Sequence, residues 1–243
     1  MQNQPLLDNI SVVLVDAKTP ANIGATARCM MNTGLSRLLL VNPLKDRDSE
    51  AYKLAAGADE ILRTAKVYSL LADAIAEHGL VIGASRHKSR QRKNIRTPRE
   101  MAERLAPLLA RNKVAILFGN EVNGLENHDI ALCHELIAIP SAGAFPSLNL
   151  SHAVMIVAYE IFIALQNAVP ASPIELARTE DLENFYRHMQ TTLLAIGFID
   201  NENSERMMFS LRQIFGKSRL DKRDVRILRG ILNAFDKTCK NYS

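Results

Sequence analysis

Residues 139–153 read Ile139-Pro-Ser-Ala-Gly-Ala-Phe-Pro-Ser-Leu-Asn-Leu-Ser-His-Ala153 and lead directly into an apolar stretch that ends near Leu165. We predict a short strand over 136–139 that is broken at Pro140, and then a loop of small residues. Ser147 or Asn149 can cap the helix that follows, predicted over 148–165. Backbone N–H groups and a helix N-terminus converge at the carboxyl end of a parallel strand. This loop is therefore where an open α/β sheet would bind a ligand.

The helix predicted over 148–165 is apolar on almost all sides, which indicates burial in a core or at a subunit contact. A membrane span is the competing interpretation. It is disfavoured because the run, at roughly 18 residues, is near the shortest length that crosses a bilayer. It also contains polar residues, namely Asn149, Ser151, His152 and Glu160.

Upstream of this stretch, short apolar runs alternate with helical patterns. Strands are predicted at 10–15, 37–41, 80–84 and 114–118. Helices are predicted to start near Asn22 and to cover 49–58, 70–77 and 98–110. Such alternation predicts an α/β protein with a mainly parallel sheet that helices cover on both faces.

Beyond the Pro- and Ala-containing stretch 169–173, only helical periodicity is present, at 181–196, 204–215 and 221–236. Asp181 and Ser204 are candidate N-caps, and Gly197 is a candidate C-cap. We therefore predict an α/β domain over residues 1–168 and a small helical extension over residues 169–243.

Composition sets broad limits on the class of protein. The 243 residues are 47% hydrophobic and 23% charged, which is ordinary for a soluble globular protein. Cys29, Cys133 and Cys239 are widely spaced and form no CxxC pair, so a disulfide framework or a zinc site is disfavoured. No signal-peptide pattern is present at the N-terminus. We expect a cytoplasmic protein.

Positive charge is concentrated between Arg86 and Arg99, where seven Lys or Arg residues occur without an acidic residue. A block of like charges is either solvated or meets an anion, and nucleic acid is the commonest anionic partner. The helical extension carries a second basic stripe, for which a solvated helix face is an equal alternative. The candidate RNA-binding residues are Arg86, Lys88, Arg90, Arg92, Lys93, Arg223 and Arg226.

Several classes of enzyme lack support in the sequence. No G-x-G-x-x-G motif follows the first predicted strand, which disfavours a Rossmann dehydrogenase. The loop 119–124 has glycines at P-loop spacing, but Leu125 stands where the P-loop lysine belongs. No cluster has metal-ligand spacing and no G-x-S-x-G elbow occurs, so we expect no metal and no hydrolase of that kind.

Three motifs follow three of the predicted strands. In chain order they are Asn22-x-Gly24-x-x-x-Arg28, Phe118-Gly119-Asn120-Glu121-x-x-Gly124-Leu125, and Ile139-Pro140 through Ser147-Leu148-Asn149. Together they resemble the motifs of the SPOUT superfamily of S-adenosyl-L-methionine-dependent RNA methyltransferases, and its 2′-O-ribose branch in particular. The helical extension resembles the C-terminal extension of the TrmJ type. Three segments carry this resemblance, namely Asp181-Leu-Glu-x-Phe-Tyr-x-His188, Thr192-Leu-Leu-Ala-x-Gly-Phe-Ile199 and Leu228-Arg-Gly-Ile-Leu232.

The resemblance implies a fold, a partner and a substrate. The fold is a SPOUT sheet with a C-terminal trefoil knot, an arrangement that general topology rules would discard. The family is homodimeric, with a site completed across the interface. The TrmJ type methylates the 2′-hydroxyl of a cytidine or uridine at the first position of the tRNA anticodon loop (position 32).

The resemblance also implies a set of site residues. Those implied to bind S-adenosyl-L-methionine are Ala84, Ser85, Gly119, Ile139, Ser147, Leu148 and Asn149. For Ala84 and Ile139, simple sheet packing is a nearly equal alternative. Those implied to take part in catalysis are Arg28, Asn22, Glu121, Ser147 and Asn149.

Arg28 is implied to act on the ribose hydroxyl, either as a base or by orienting it through a neighbouring phosphate. We prefer the second role because a guanidinium keeps its proton and has no acceptor. An ion pair of Arg28 with Glu121 is the structural alternative. Asn22 either orients Arg28 or the substrate, or caps its helix, and Glu121 is expected to anchor its loop through backbone amides. We interpret His152 as a packed residue of its helix.

Two other functions remain open on the sequence alone. One is methylation of ribosomal RNA by the same core, against which the C-terminal helices argue. The other is an RNA-binding module without catalysis, against which the intact Arg28, Glu121, Ser147 and Asn149 argue.

Overall fold

A computed structural model of the chain describes residues 4–44, 48–85, 95–142, 147–166, 174–216 and 218–241. The chain divides into two compact units, Met1–Pro173 and Ile174–Ser243. The division falls at the end of the Pro- and Ala-containing stretch.

The first unit is built on a parallel sheet, to which the described residues contribute seven strands. In chain order these are β1 (Ile10–Val15), β2 (Arg37–Val41), β3 (Lys66–Tyr68), β4 (Leu80–Ala84), β5 (Ile95–Arg96), β6 (Val114–Phe118) and β7 (Glu135–Ile137). Their spatial order is β3-β2-β1-β6-β4-β7-β5, and every pairing is parallel. The predicted parallel α/β sheet is confirmed. Every residue of β1 and β6 is buried, as expected for central strands with helices on both faces.

Helices connect these strands. They are α1 (Gln4–Leu7), α2 (Pro20–Thr33), α3 (Asp48–Ala55), α4 (Asp59–Thr64), α5 (Leu71–Ile75), α6 (Pro98–Leu105), α7 (Asn127–Ala131) and α8 (Leu150–Gln166). A 3₁₀ turn, Ala106–Leu108, extends α6. Within the described residues, no helix is long and apolar enough to cross a membrane.

The α2 helix is packed tightly on α3. A Cβ on Gly24 would lie 2.0 Å from the carbonyl oxygen of Ala51, so only glycine allows this approach. The helix begins at Pro20 rather than near Asn22, because proline is tolerated in the first turn, where its missing N–H is not needed.

β7 lies between β4 and β5, although it follows both of them in the chain. The chain therefore returns into a position between two strands that it has already built. The connection from β4 to β5 spans residues 86–94, outside the described residues, so the trefoil knot stays a prediction.

The second unit consists of α9 (Thr179–Ala195), α10 (Ser204–Gly216) and α11 (Lys222–Asn241). Phe185, Tyr186 and Met189 of α9 are buried in its core. Arg212 of α10 pairs with Glu183 of α9 through both carboxylate oxygens and lies 4.3 Å from the centre of the Tyr186 ring. The predicted N-cap at Asp181 is wrong, because α9 begins earlier and Asp181 lies in its first turn.

Candidate active site

A pocket opens where β4, β6 and β7 end at their carboxyl edge, the position at which open parallel sheets bind ligands. Six of the residues expected to bind cofactor line it: Ala84, Ser85, Gly119, Ile139, Ser147 and Leu148. Glu121 also lines the pocket, whereas Asn149 does not. Sequence reasoning missed the lining residues Phe118, Asn120, Gly124, Ile137, Leu150 and Ala153. Most of them lie within a few residues of a predicted strand end or helix start, which is the signal that could have found them.

The loop after β6 is held in a tight turn by its own residues. Asn120 Oδ1 accepts hydrogen bonds from the backbone N–H groups of Val122 (3.0 Å) and Asn123 (2.8 Å). A Cβ on Gly119 would lie 2.0 Å from the carbonyl carbon of Gly124 and 2.1 Å from the nitrogen of Leu125. Because those atoms are backbone, the loop closes only with glycine at position 119.

The Glu121 carboxylate holds the N-terminus of α2. It accepts hydrogen bonds from the backbone N–H groups of Lys18 (3.0 Å) and Thr19 (3.2 Å) and from Asn22 Nδ2 (2.8 Å). Burial raises the pKa of Glu121, but the hydrogen bonds from Asn22, Lys18 and Thr19 outweigh burial, and its pKa lies below the usual value. The carboxylate is therefore ionised at neutral pH. Its negative charge also interacts favourably with the positive end of the α2 dipole.

Asn149 connects Asn22 to the start of α8. Its Nδ2 donates to Asn22 Oδ1 at 2.8 Å, while its Oδ1 accepts from the backbone N–H (2.9 Å) and the hydroxyl (2.7 Å) of Ser151. Of the two predicted caps of α8, Asn149 is thus the one that caps. We name the chain Glu121–Asn22–Asn149–Ser151 the amide relay. It links the three sequence motifs through side chains that are far apart in the sequence.

Arg28 lies on α2 with an exposed side chain and has neither a hydrogen bond nor an ion pair among the described residues. The alternative ion pair with Glu121 is not formed, because that carboxylate is occupied by Lys18, Thr19 and Asn22. The Arg28 guanidinium is therefore available to an anion. His152 is exposed, so its interpretation as a packed residue is wrong.

Two arginines of the basic run between Arg86 and Arg99 are paired with acidic residues. Arg96 pairs with Glu135 at 2.9 Å, and Arg99 pairs with Glu160 through two contacts of 3.1 Å. These partners could not be predicted from the basic run itself, because they lie in β7 and α8. The RNA-binding candidates Arg86, Lys88, Arg90, Arg92 and Lys93 lie outside the described residues.

On α11, Arg223 and Arg226 are exposed, and neither forms an ion pair with a described residue. Lys222 pairs with Glu175 at 2.6 Å. The carboxylates of Asp221 and Asp224 accept backbone N–H groups at the start of the helix rather than pairing with these arginines. The candidate RNA-binding arginines thus keep unneutralised side chains.

Comparison with known proteins places the chain among RNA methyltransferases. Residues 9–159 match the SpoU rRNA Methylase family, and residues 180–243 match the tRNA methyltransferase TrmJ, C-terminal domain. The tRNA (cytidine/uridine-2′-O-)-methyltransferase TrmJ of Pectobacterium atrosepticum is 40% identical over 240 residues, which are 96% of this chain and 99% of that protein.

Solved structures agree with this assignment. The crystal structure of TrmJ from Z. mobilis aligns with a TM-score of 0.81 and 32% identity over 93% of this chain and 98% of that one. The SpoU methyltransferase AviRb from Streptomyces viridochromogenes, solved in complex with AdoMet, shares the fold at 20% identity with a TM-score of 0.53. It aligns over 65% of this chain and 61% of its own.

Proposed function

The chain belongs to the SpoU rRNA Methylase family, and on that basis we propose that it methylates tRNA at a ribose 2′-hydroxyl. S-adenosyl-L-methionine is the proposed methyl donor. The proposed acceptor is a cytidine or uridine at the first position of the anticodon loop. Similarity to TrmJ proteins over nearly the whole chain, including the C-terminal helices, favours tRNA over ribosomal RNA.

The pocket fits such a donor by its chemistry. Phe118, Ile139 and Leu148 provide apolar surface for an adenine ring, and Ser147 has a hydroxyl without a hydrogen-bond partner among the described residues. A mostly apolar pocket with a few polar groups is typical of cofactor sites. When bound, S-adenosyl-L-methionine supplies an electrophilic methyl group on a sulfonium sulfur.

The observation that carries the proposal is the amide relay beside this pocket. It fixes the start of α2 relative to the loop after β6 and to the start of α8. Arg28 lies six residues beyond Asn22, about 9 Å along the helix. In this position an exposed guanidinium can bind a phosphate and so orient the neighbouring ribose. Holding two reactants at near-attack geometry is worth about 7–11 kcal/mol.

We further propose that the enzyme is a cytoplasmic homodimer. The supporting feature is α8, which exposes Ile156 (36%) and Tyr159 (50%) at helical spacing on the side that also carries His152. A second copy of the chain packed on this side would bury these apolar groups.

Methyl transfer from labelled S-adenosyl-L-methionine to unmodified total tRNA tests the function, with nuclease mapping of the product. Wild type is compared with Arg28→Ala. Light scattering of the same wild-type sample measures its oligomeric state and tests the homodimer proposal. The control is Arg111→Ala. Arg111 is exposed and precedes the first residue of β6, so it lies at the end of that strand away from the pocket. We expect label in a 2′-O-methylpyrimidine of the anticodon loop for wild type and the control, and a loss of roughly 100-fold or more for Arg28→Ala.

Label in ribosomal RNA alone would reassign the substrate. Binding of tRNA by wild type without transfer to either RNA would contradict the enzyme proposal.

A further inference from the structure

The two ends of the amide relay have fixed and opposite hydrogen-bonding character. An ionised Glu121 carboxylate only accepts, so the Asn22 atom that faces it must be the amide nitrogen. At the other end, the backbone N–H of Ser151 only donates, so the Asn149 atom that faces it must be the amide oxygen. The orientations of both carboxamides follow from these ends, and they agree at the middle contact between Asn149 Nδ2 and Asn22 Oδ1.

Ser151 contributes more to this arrangement than a cap would require. Its side chain is buried, with 6% of the residue exposed, and its hydroxyl makes the shortest contact of the relay, 2.7 Å to Asn149 Oδ1. Its backbone carbonyl accepts the thiol of Cys29 at 3.5 Å. Cys29 is the neighbour of Arg28 in the chain. Ser151 thus contacts both Asn149 beside the pocket and the turn of α2 that carries Arg28.

We propose that Ser151 is a positioning residue for methyl transfer, which sets the orientation of the Asn149 carboxamide and, through Asn22, the placement of Arg28 relative to the pocket. This inference rests on the proposed methyltransferase function. If the Asn149 amide turned over, its nitrogen would face the backbone N–H of Ser151 and its oxygen would face Asn22 Oδ1. Both contacts would be lost, and Asn22 could no longer satisfy Asn149 and Glu121 together.

Substitution of Ser151 separates this role from ordinary packing. Ser151→Ala removes the hydroxyl and keeps the backbone N–H, while Ser151→Cys restores a weaker donor of similar size. A matched control is Ser11→Ala. Ser11 is another buried serine of the same unit, 2% exposed, and its hydroxyl lies 2.9 Å from His78 Nε2. It lies at the start of β1, away from the carboxyl edge of the sheet.

With S-adenosyl-L-methionine saturating and tRNA varied, we expect Ser151→Ala to lower kcat by about 10- to 100-fold, with the KM for tRNA changed by less than about twofold. Ser151→Cys should recover part of the loss. Ser11→Ala should keep the wild-type kcat even though it unfolds at a lower urea concentration. A KM effect without a kcat effect, or equal losses in Ser11→Ala and Ser151→Ala, would overturn the proposal.

A double-mutant cycle with Asn22→Ala tests whether Ser151 acts through the relay. Once Asn22→Ala has cut the relay, Ser151→Ala should lower kcat little further, because coupled residues are not additive. Fully additive effects would show that Ser151 acts independently, and the inference would fail. The same cycle can also be measured by urea unfolding, which does not depend on enzyme activity. If wild type transfers no methyl group, the proposed function fails, while coupling of the two substitutions in unfolding still supports the relay and its absence rejects it.

Discussion

His78, between α5 and β4 in the chain, is buried, with 5% of the residue exposed and Nε2 2.9 Å from the hydroxyl of Ser11. Burial lowers its pKa from 6.5 to about 4, so the ring is neutral in the folded protein. In the unfolded chain the same ring takes up a proton near its ordinary pKa. Between these two values the unfolded chain binds more protons than the folded one. The free energy of unfolding therefore decreases as the pH falls through this window.

We expect this histidine to cost up to about 3 kcal/mol of unfolding free energy as the pH is lowered from 6.5 to about 4. Urea unfolding of wild type and His78→Gln across that range measures the effect. The variant, although less stable at neutral pH, should have a flatter dependence on pH. Equal slopes for His78→Gln and wild type would contradict the assignment.

Single residues of the site could be located from the sequence, but their contacts could not. Ser147 and Asn149 stood out because a polar pair follows a loop of small residues and precedes an apolar helix. Which of them caps α8 depends on Ser151, and the direction of the Asn149 amide depends on Asn22, 127 residues away. A local pattern carries no information about such a partner.

At the scale of elements, the loop after β6 gives a direct comparison of two glycines. Gly119 lacks space for a Cβ because the Gly124 and Leu125 backbone lies within 2.1 Å of it, whereas a Cβ on Gly124 would meet nothing within 4 Å. Gly124 instead has a positive φ of 73°, which costs a residue with a Cβ about 1–2 kcal/mol.

Both glycines line the pocket, but only at Gly119 would a Cβ displace backbone atoms. We therefore expect Gly119→Ala to open the loop and weaken binding of S-adenosyl-L-methionine by at least about tenfold. Gly124→Ala should lower stability by about 1–2 kcal/mol and leave the affinity within a few fold. Calorimetric titration and urea unfolding of both variants test this. Similar affinities for the two variants would show that the close approach at Gly119 is not what shapes the pocket.

The strands divide by how they are stabilised. β1, β2, β4 and β6 were predicted with the bounds that the structure shows, because each is a compact apolar run with turn residues beside it. β3 and β5 were missed. They have three and two residues, include Lys66 and Arg96, and are strands only because they pair with β2 and β7 at the sheet edges. Such strands are made by their neighbours rather than by their own sequence.

For the whole molecule, the distribution of charge is what tRNA binding would depend on. The formal net charge is only +4, and Arg96 and Arg99 are neutralised by Glu135 and Glu160. Local surfaces with unpaired arginines therefore matter more than the overall charge. On α11, Arg223 and Arg226 have this character, whereas Lys222 on the same helix is paired with Glu175.

We expect the double variant Arg223→Gln/Arg226→Gln to bind tRNA more weakly than wild type, because each arginine that meets a phosphate releases a counterion on binding. The slope of log affinity against log salt should fall by about 1 for each such arginine. Filter binding of unmodified tRNA at several salt concentrations measures both quantities. Lys222→Gln, which removes a charge already paired within the unit, should keep the wild-type slope. If the double variant also keeps that slope, the arginines belong to a solvated helix face, and the tRNA must be held by other parts of the chain.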